Sequence, residues 1–228
     1  MRLLRFTFFC RHRRSPLPCP GAAGISGETL ITYFNFNDGN LASDVPSAQR
    51  TTITVNNLGT TFVAPGATQN LATGDTGLPS NMALQLTDAN NGGGNAKSFQ
   101  FTVSTVGFTN LTLSCSTLAS NLNFTQTISY SINGGASFVQ IGTYNPTSAF
   151  AVESLALGSG ANNQTSLLIQ IAFTQSGQQK GQYNDFDNIQ FSGVPLPVPE
   201  PNTWLGGAFA VIAGSQRKQF RKLVRRVS

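Results

Sequence analysis

The sequence predicts an all-β protein, an antiparallel sandwich of two sheets. Three observations carry that expectation. Apolar and polar residues alternate over short runs between Thr29 and Phe191, the period of a strand with one buried face. Clusters of Gly, Asn, Asp and Pro punctuate those runs. Before residue 202 no stretch repeats its apolar residues with the 3.6 period of an amphipathic helix.

Taken in order, Leu30–Phe36 reads as a strand that stops at Asn37-Asp38-Gly39-Asn40. Thr51–Val55 is a β-branched run. Residues 56–80, with Gly59, Pro65, Gly66, Gly74, Gly77 and Pro79, read mostly as loop. Met82, Leu84 and Leu86 alternate with smaller or polar residues, and Asn90–Asn95 is a glycine-rich connection. Phe99, Phe101 and Val103 share a face, as do Leu111, Leu113 and Cys115. Ile128, Tyr130 and Ile132 then lead through Asn133-Gly134-Gly135 into Phe138–Ile141, a hairpin signal because these turn residues tolerate positive φ. Phe150–Leu157, Leu167–Phe173 and Phe186–Phe191 bring the count to about ten strands, which suits a jelly-roll-like sandwich.

Charge is distributed unevenly. Eleven of the fourteen Lys and Arg residues lie in residues 1–14 or 217–226. Between Ser15 and Gln216 there remain Arg50, Lys97 and Lys180 against all nine acids, a net of −6. A body of that sign does not track phosphates, so nucleic acid is excluded as a partner. The three cysteines, Cys10, Cys19 and Cys115, have neither a disulfide framework nor metal-ligand spacing.

The chain divides into a basic leader and linker (residues 1–27), a β-sandwich (28–193), a proline-rich linker (194–201) and a C-terminal segment (202–228). Met1–Cys10 has the positive start of a signal peptide. Arg5 interrupts it, and Arg11-His12-Arg13-Arg14 follows where a cleavage region is small and neutral. A damaged leader and a genuine basic arm are both open readings.

At the other end, Pro199 and Pro201 flank Glu200 and break regular structure. Asn202 can cap a helix carrying Trp204, then the apolar run Leu205–Gly214, then Arg217, Lys218, Arg221, Lys222, Arg225 and Arg226. A hydrophobic-basic helix at the C-terminus follows, with its basic end toward the cytoplasm. These residues resemble the PEP-CTERM sorting signal of exported bacterial proteins: Pro199-Glu200-Pro201, Trp204, the apolar run and the arginines Arg217, Arg221, Arg225 and Arg226. The resemblance implies an exosortase-type membrane processing enzyme as partner, transient anchoring in the cytoplasmic membrane, and a destination in the cell envelope or outside the cell. The apolar run is short, about 15 Å of helix against a hydrocarbon core of about 30 Å. Thinning of the bilayer and snorkelling of the basic side chains are ways to bridge that difference.

The body resembles β-sandwich modules of bacterial surface proteins, through Leu84–Val103, Ser129–Gly135, Gly142-Thr143-Tyr144 and Asp187-Asn188-Ile189-Gln190-Phe191. Such modules are similar to galactose-binding or carbohydrate-binding jelly rolls. That resemblance implies a non-catalytic domain and, as an alternative to a purely structural envelope protein, a polysaccharide ligand held on an exposed aromatic such as Tyr144 or Tyr183.

Catalytic chemistry finds little support. The sole histidine, His12, lies in the leader, so the body has no Ser-His-Asp or Cys-His pair. A small extracellular hydrolase would need two facing carboxylates, and nothing in their spacing selects a pair. Cys115 continues the Leu111/Leu113 face as a small apolar residue. Strand alternation places Asp185, Asp187, Ile189 and Phe191 on one side, leaving Asp187 at the mouth of the core. Backbone N–H groups, Asn188 or a cation must then compensate its charge. A loop-fixing hydrogen bond is one outcome. A structural calcium held by Asp187 and Asp185 with Asp38 or Asn40 from the first turn is the other; no other cofactor is expected.

Overall fold

The computed structural model describes residues 27–44, 50–75, 81–87, 97–120, 124–175 and 182–197. The leader, the PEP motif and the expected C-terminal helix lie outside them. The fold is an all-β, antiparallel, jelly-roll-like sandwich, with eleven strands among the described residues. They are β1 (Thr29–Phe34), β2 (Thr54–Asn56), β3 (Gly59–Val63), β4 (Ala83–Thr87), β5 (Lys97–Val103), β6 (Phe108–Ala119), β7 (Phe124–Ser131), β8 (Val139–Tyr144), β9 (Ala151–Ala156), β10 (Leu167–Gln175) and β11 (Tyr183–Pro195). One sheet has the order β3-β4-β11-β6-β9, with β1 also paired to β11; the other has the order β2-β5-β10-β7-β8.

The alternation read from the sequence puts one face of each strand into the core. Phe99, Phe101 and Val103 of β5, with Leu167, Ile169 and Ile171 of β10, meet Leu84, Leu111, Leu113, Phe186 and Phe191 of the opposite sheet. Phenylalanine rings knit the layers. Phe99 meets Phe186 edge-on at 4.9 Å between centroids, and Phe34 meets Phe101 at 5.2 Å. Such contacts stabilise by about 0.5–1.5 kcal/mol beyond the area they bury.

Two departures from the sequence reading stand beside one expectation that the structure bears out. Gly59–Val63, expected as loop, pairs with β4 from Gly59↔Thr87 to Val63↔Ala83 as an edge strand. Its residues are at most partly buried, so it lacks the apolar alternation that marks a half-buried strand. The expected hairpin forms, β7 and β8 pairing antiparallel across residues 132–138. Gly134 and Gly135 take φ 69 and 93, and Asn133 Oδ1 accepts from Ser137 N at 3.0 Å. Finally, β11 continues past Gly193: Val194 pairs with Thr109, Pro195 with Phe108, and Leu196 N donates to Gly107 O at 2.7 Å.

β11 also contains the feature that decides the site. Its register with β6 shifts between Asp187↔Ser116 and Gln190↔Ser114, so Asn188 and Ile189 oppose the single residue Cys115. Asn188 takes φ 50, the left-handed conformation that asparagine tolerates. The bulge changes the phase of alternation.

Candidate functional site

Because of that bulge, Phe186, Ile189 and Phe191 all point into the core, and Asp185 and Asp187 point out of it. This corrects the expectation that the two carboxylates share the face of Ile189 and Phe191. The outer face of the β11 sheet is covered by residues 64–75, which cross it as a strap. Asp187 Oδ2 accepts from Ala67 N at 2.7 Å, and its Oδ1 accepts from Asn188 N at 2.7 Å. Asn188 Nδ2 donates to Gln69 O at 2.9 Å, Asn70 Nδ2 to Asn188 O at 2.6 Å, and Gln190 Nε2 to Asn70 O at 2.6 Å. Gly66 is required here: a Cβ on it would lie 2.5 Å from Asp187 Oδ2 and 2.8 Å from the Met82 carbonyl carbon.

The strap encloses an acidic cluster. Tyr33 Oη lies 2.8 Å from Asp75 Oδ2 and 2.6 Å from Asn188 Oδ1, and Asn35 donates through its backbone N to Asp44 and through Nδ2 to Asp75. Burial pushes Asp187 up to about 7, against the lowering influence of its two N–H donors, with Asp75 and Asp44 adding to the rise. Burial likewise raises Asp185 to about 6, although Gln85 Nε2 donates to it at 3.1 Å. Tyr33 is raised above the usual phenol range by burial first and by Asp75 second.

The residues singled out from the sequence are not brought together. Asp38 sits in its exposed turn and accepts from Asn40 N at 3.2 Å. Asp185 and Asp187 have the separate donors described above. Among the described residues no group of three or more His, Cys, Asp or Glu side chains is placed to hold a metal ion. Tyr144 packs against the core with its hydroxyl 3.4 Å from Cys115 Sγ, and burial holds that hydroxyl well above its ordinary pKa. It turns inward rather than offering its ring as a platform. Tyr183 is half-buried on the opposite sheet, beside Thr87, so the two tyrosines do not share a face. Cys115 is buried, and its thiol is pushed up to about 12.

The sandwich has a second outer face, and its character is different. No strand of the β2-β5-β10-β7-β8 sheet contains an Asp or Glu, and its one charged residue is Lys97. Strand register aligns the side chains of the outer face into rows running across all five strands, in which Ser98 and Ser129 are themselves buried. One row is Thr54, Gln100, Gln170, Ser129 and Gln140; the next is Asn56, Ser98, Ala172, Thr127 and Thr143. Four strand spacings of about 4.8 Å make each row about 19 Å long. Asn56 Nδ2 donates to Ser98 Oγ at 3.2 Å. The amides of Gln100, Gln170 and Gln140 have no protein partner among the described residues. These rows are the polar half of the strand alternation. The sequence displays that pattern, but the cross-strand alignment comes from register.

No family model and no curated protein matches the chain. Among solved structures it is similar to the CBM22-1 xylan-binding domain from Paenibacillus barcinonensis Xyn10C, at 12% identity and a TM-score of 0.47 over 75% of this chain and 99% of that one. It is similar to TmCBM61 in complex with β-1,4-galactotriose, at 10% identity and a TM-score of 0.42 over 69% and 92%. A CBM29-2 variant complexed with mannohexaose gives 12% identity and a TM-score of 0.42 over 73% and 91%.

Proposed function

We infer that this chain is an exported, non-catalytic envelope or extracellular protein whose uncharged sheet face binds a neutral polysaccharide. The observation that carries the reading is the pair of aligned rows, amide and hydroxyl but for Ala172, with Gln100 and Gln170 unpartnered among the described residues and no carboxylate in the strands that bear them. Amides offer donors and acceptors in fixed geometry, and hydroxyls do both, which matches a polyhydroxylated chain lying across the strands. An anionic polymer would need cations that these rows lack, and a protein partner would favour an aromatic or large apolar centre, where these rows have only Ala172. Each hydrogen bond to ligand stabilises by only about 0.5–1.5 kcal/mol net, so the expected affinity is modest. The resemblance of Pro199-Glu200-Pro201, Trp204 and the terminal arginines to a sorting signal supports export and processing by an exosortase-type enzyme.

Affinity electrophoresis of the full chain through gels containing glucan, mannan, xylan or galactan tests the reading. At least one polymer should retard migration, the retardation should survive added salt, and the double variant Gln100→Ala/Gln170→Ala should remove it. Retardation by none of them, or binding that the variant retains, overturns it.

A further inference from the structure

We propose that the end of the sandwich from which β11 leaves is a docking surface for a phospholipid bilayer. It sits against the membrane that holds the C-terminal tail, and so rests on the reading of residues 199–226 as a membrane tail. Among the described residues six large hydrophobic side chains are exposed, and five of them belong to this end: Val106 at 50%, Ile132 at 54%, Phe138 at 37%, Val139 at 54% and Leu196 at 38%. Register places them. Ser131, just before Ile132, pairs with Leu168, and Val139 pairs with Tyr130. Leu167 pairs with Val103, three residues before Val106, and Leu196 N bonds Gly107 O beside it. The sixth, Val152, pairs with Ser116, farther along the sandwich.

Charge is arranged to match. Asp185 and Asp187 occupy the opposite half of β11, and Asp44 and Asp75 are gathered around Tyr33 and Asn35. Lys97 opens β5 at the end opposite Val103. Glu28, beside Ser192, is the described carboxylate whose strand position lies near the apolar end. An acidic body that gathers most of its carboxylates away from its apolar end can bring that end up to anionic headgroups with little repulsion. Clustered exposed apolar residues on an otherwise polar protein mark an interaction surface.

Chain length selects the occupant. The last described residue is Pro197, and Trp204 begins the apolar part of the tail. Seven residues fully extended reach about 25 Å at most. A tail seated in the bilayer therefore holds Pro197 within about 25 Å of Trp204, near enough for this end to reach the headgroups. Ile132, Phe138 and Val139 can then enter the interfacial region, as the apolar face of a monotopic segment does.

The test uses the full chain with Cys10→Ser and Cys19→Ser, leaving the buried Cys115, and carries Phe138→Cys or Val152→Cys labelled with an environment-sensitive fluorophore. Vesicles of phosphatidylethanolamine and phosphatidylglycerol contain a headgroup nitroxide lipid, and flotation is scored alongside quenching. The chain should float, and the label at 138 should be quenched at least about twice as strongly as that at 152, the contrast expected of an interfacial site against one clear of the membrane. Val106→Cys provides a second reporter and should follow position 138. If the chain floats and positions 138 and 152 are quenched alike, the docking surface is wrong while the tail reading stands. If the chain does not float, both fall. If the label at 138 is already shielded without lipid and unchanged by vesicles, the tail or a second copy covers the surface, and bilayer docking is overturned.

Discussion

Raising the pH from 5 to 8 should destabilise the folded body, opposite to the usual behaviour of a carboxylate. Asp187 is fully buried, and its carboxyl is raised to about 7. In the unfolded chain the same group titrates near about 3.9. A folded-state pKa above the unfolded one means that the native state binds the proton more tightly. Its contribution is therefore fully present below about pH 4 and is lost as pH rises through about 7. Between pH 5 and pH 8 the loss from Asp187 amounts to about 2–3 kcal/mol. Asp185, raised to about 6, loses about 1 kcal/mol more in the same direction. For a chain of this size the sum corresponds to a fall in Tm of roughly 5–15 °C. Melting followed by circular dichroism at half-unit pH steps would measure it.

Asp187→Asn should remove the larger part of the slope. At pH 5 it should also cost about 1–3 kcal/mol, because an amide nitrogen cannot accept the N–H that one carboxylate oxygen now accepts, and that deficit should shrink toward zero by pH 8, where the wild-type protein has lost the stability of its protonated carboxyl. A Tm that is constant or rises between pH 5 and 8 would refute the reasoning. Calcium compensation would show itself differently, as a Tm at pH 8 that rises with added calcium and falls with a chelator.

The remaining predictions concern packing. Gly66→Ala drives a Cβ into Asp187 Oδ2 and the Met82 backbone, and should cost about 1–3 kcal/mol, measured by urea denaturation. Phe186→Ala removes the ring that meets Phe99 and Phe173 edge-on and should cost about 3–5 kcal/mol in the same assay. A chain ending at Pro197 should melt within a degree or two of the full one. Ending at Gly193 instead removes the Val194 and Pro195 pairings and the Leu196–Gly107 bond, and should lower Tm by several degrees at roughly 2–4 °C per kcal/mol.

What the sequence determined by itself is the class of fold and the identity of most core residues. Alternation at Leu84/Leu86, Phe99/Phe101/Val103 and Leu111/Leu113/Cys115 is a local property, and each of these residues is buried. The separation of charge into basic termini and an acidic body is equally legible. The direction of Asp187 was not. One residue of positive φ, Asn188, inverts which side chains face inward, and a local pattern does not announce a bulge whose partner, β6, lies far away in the chain. The strap escaped for a related reason: its hydrogen bonds to β11 join residues far apart in the chain, Ala67 and Asp187 being 120 positions apart. The glutamine rows needed the register of five strands at once, because Gln100, Gln170 and Gln140 become neighbours only when the pairings of β5, β10, β7 and β8 are fixed together. Which face the strap of residues 64–75 covers is a fact of tertiary structure, since it depends on non-local backbone partners that no periodicity encodes.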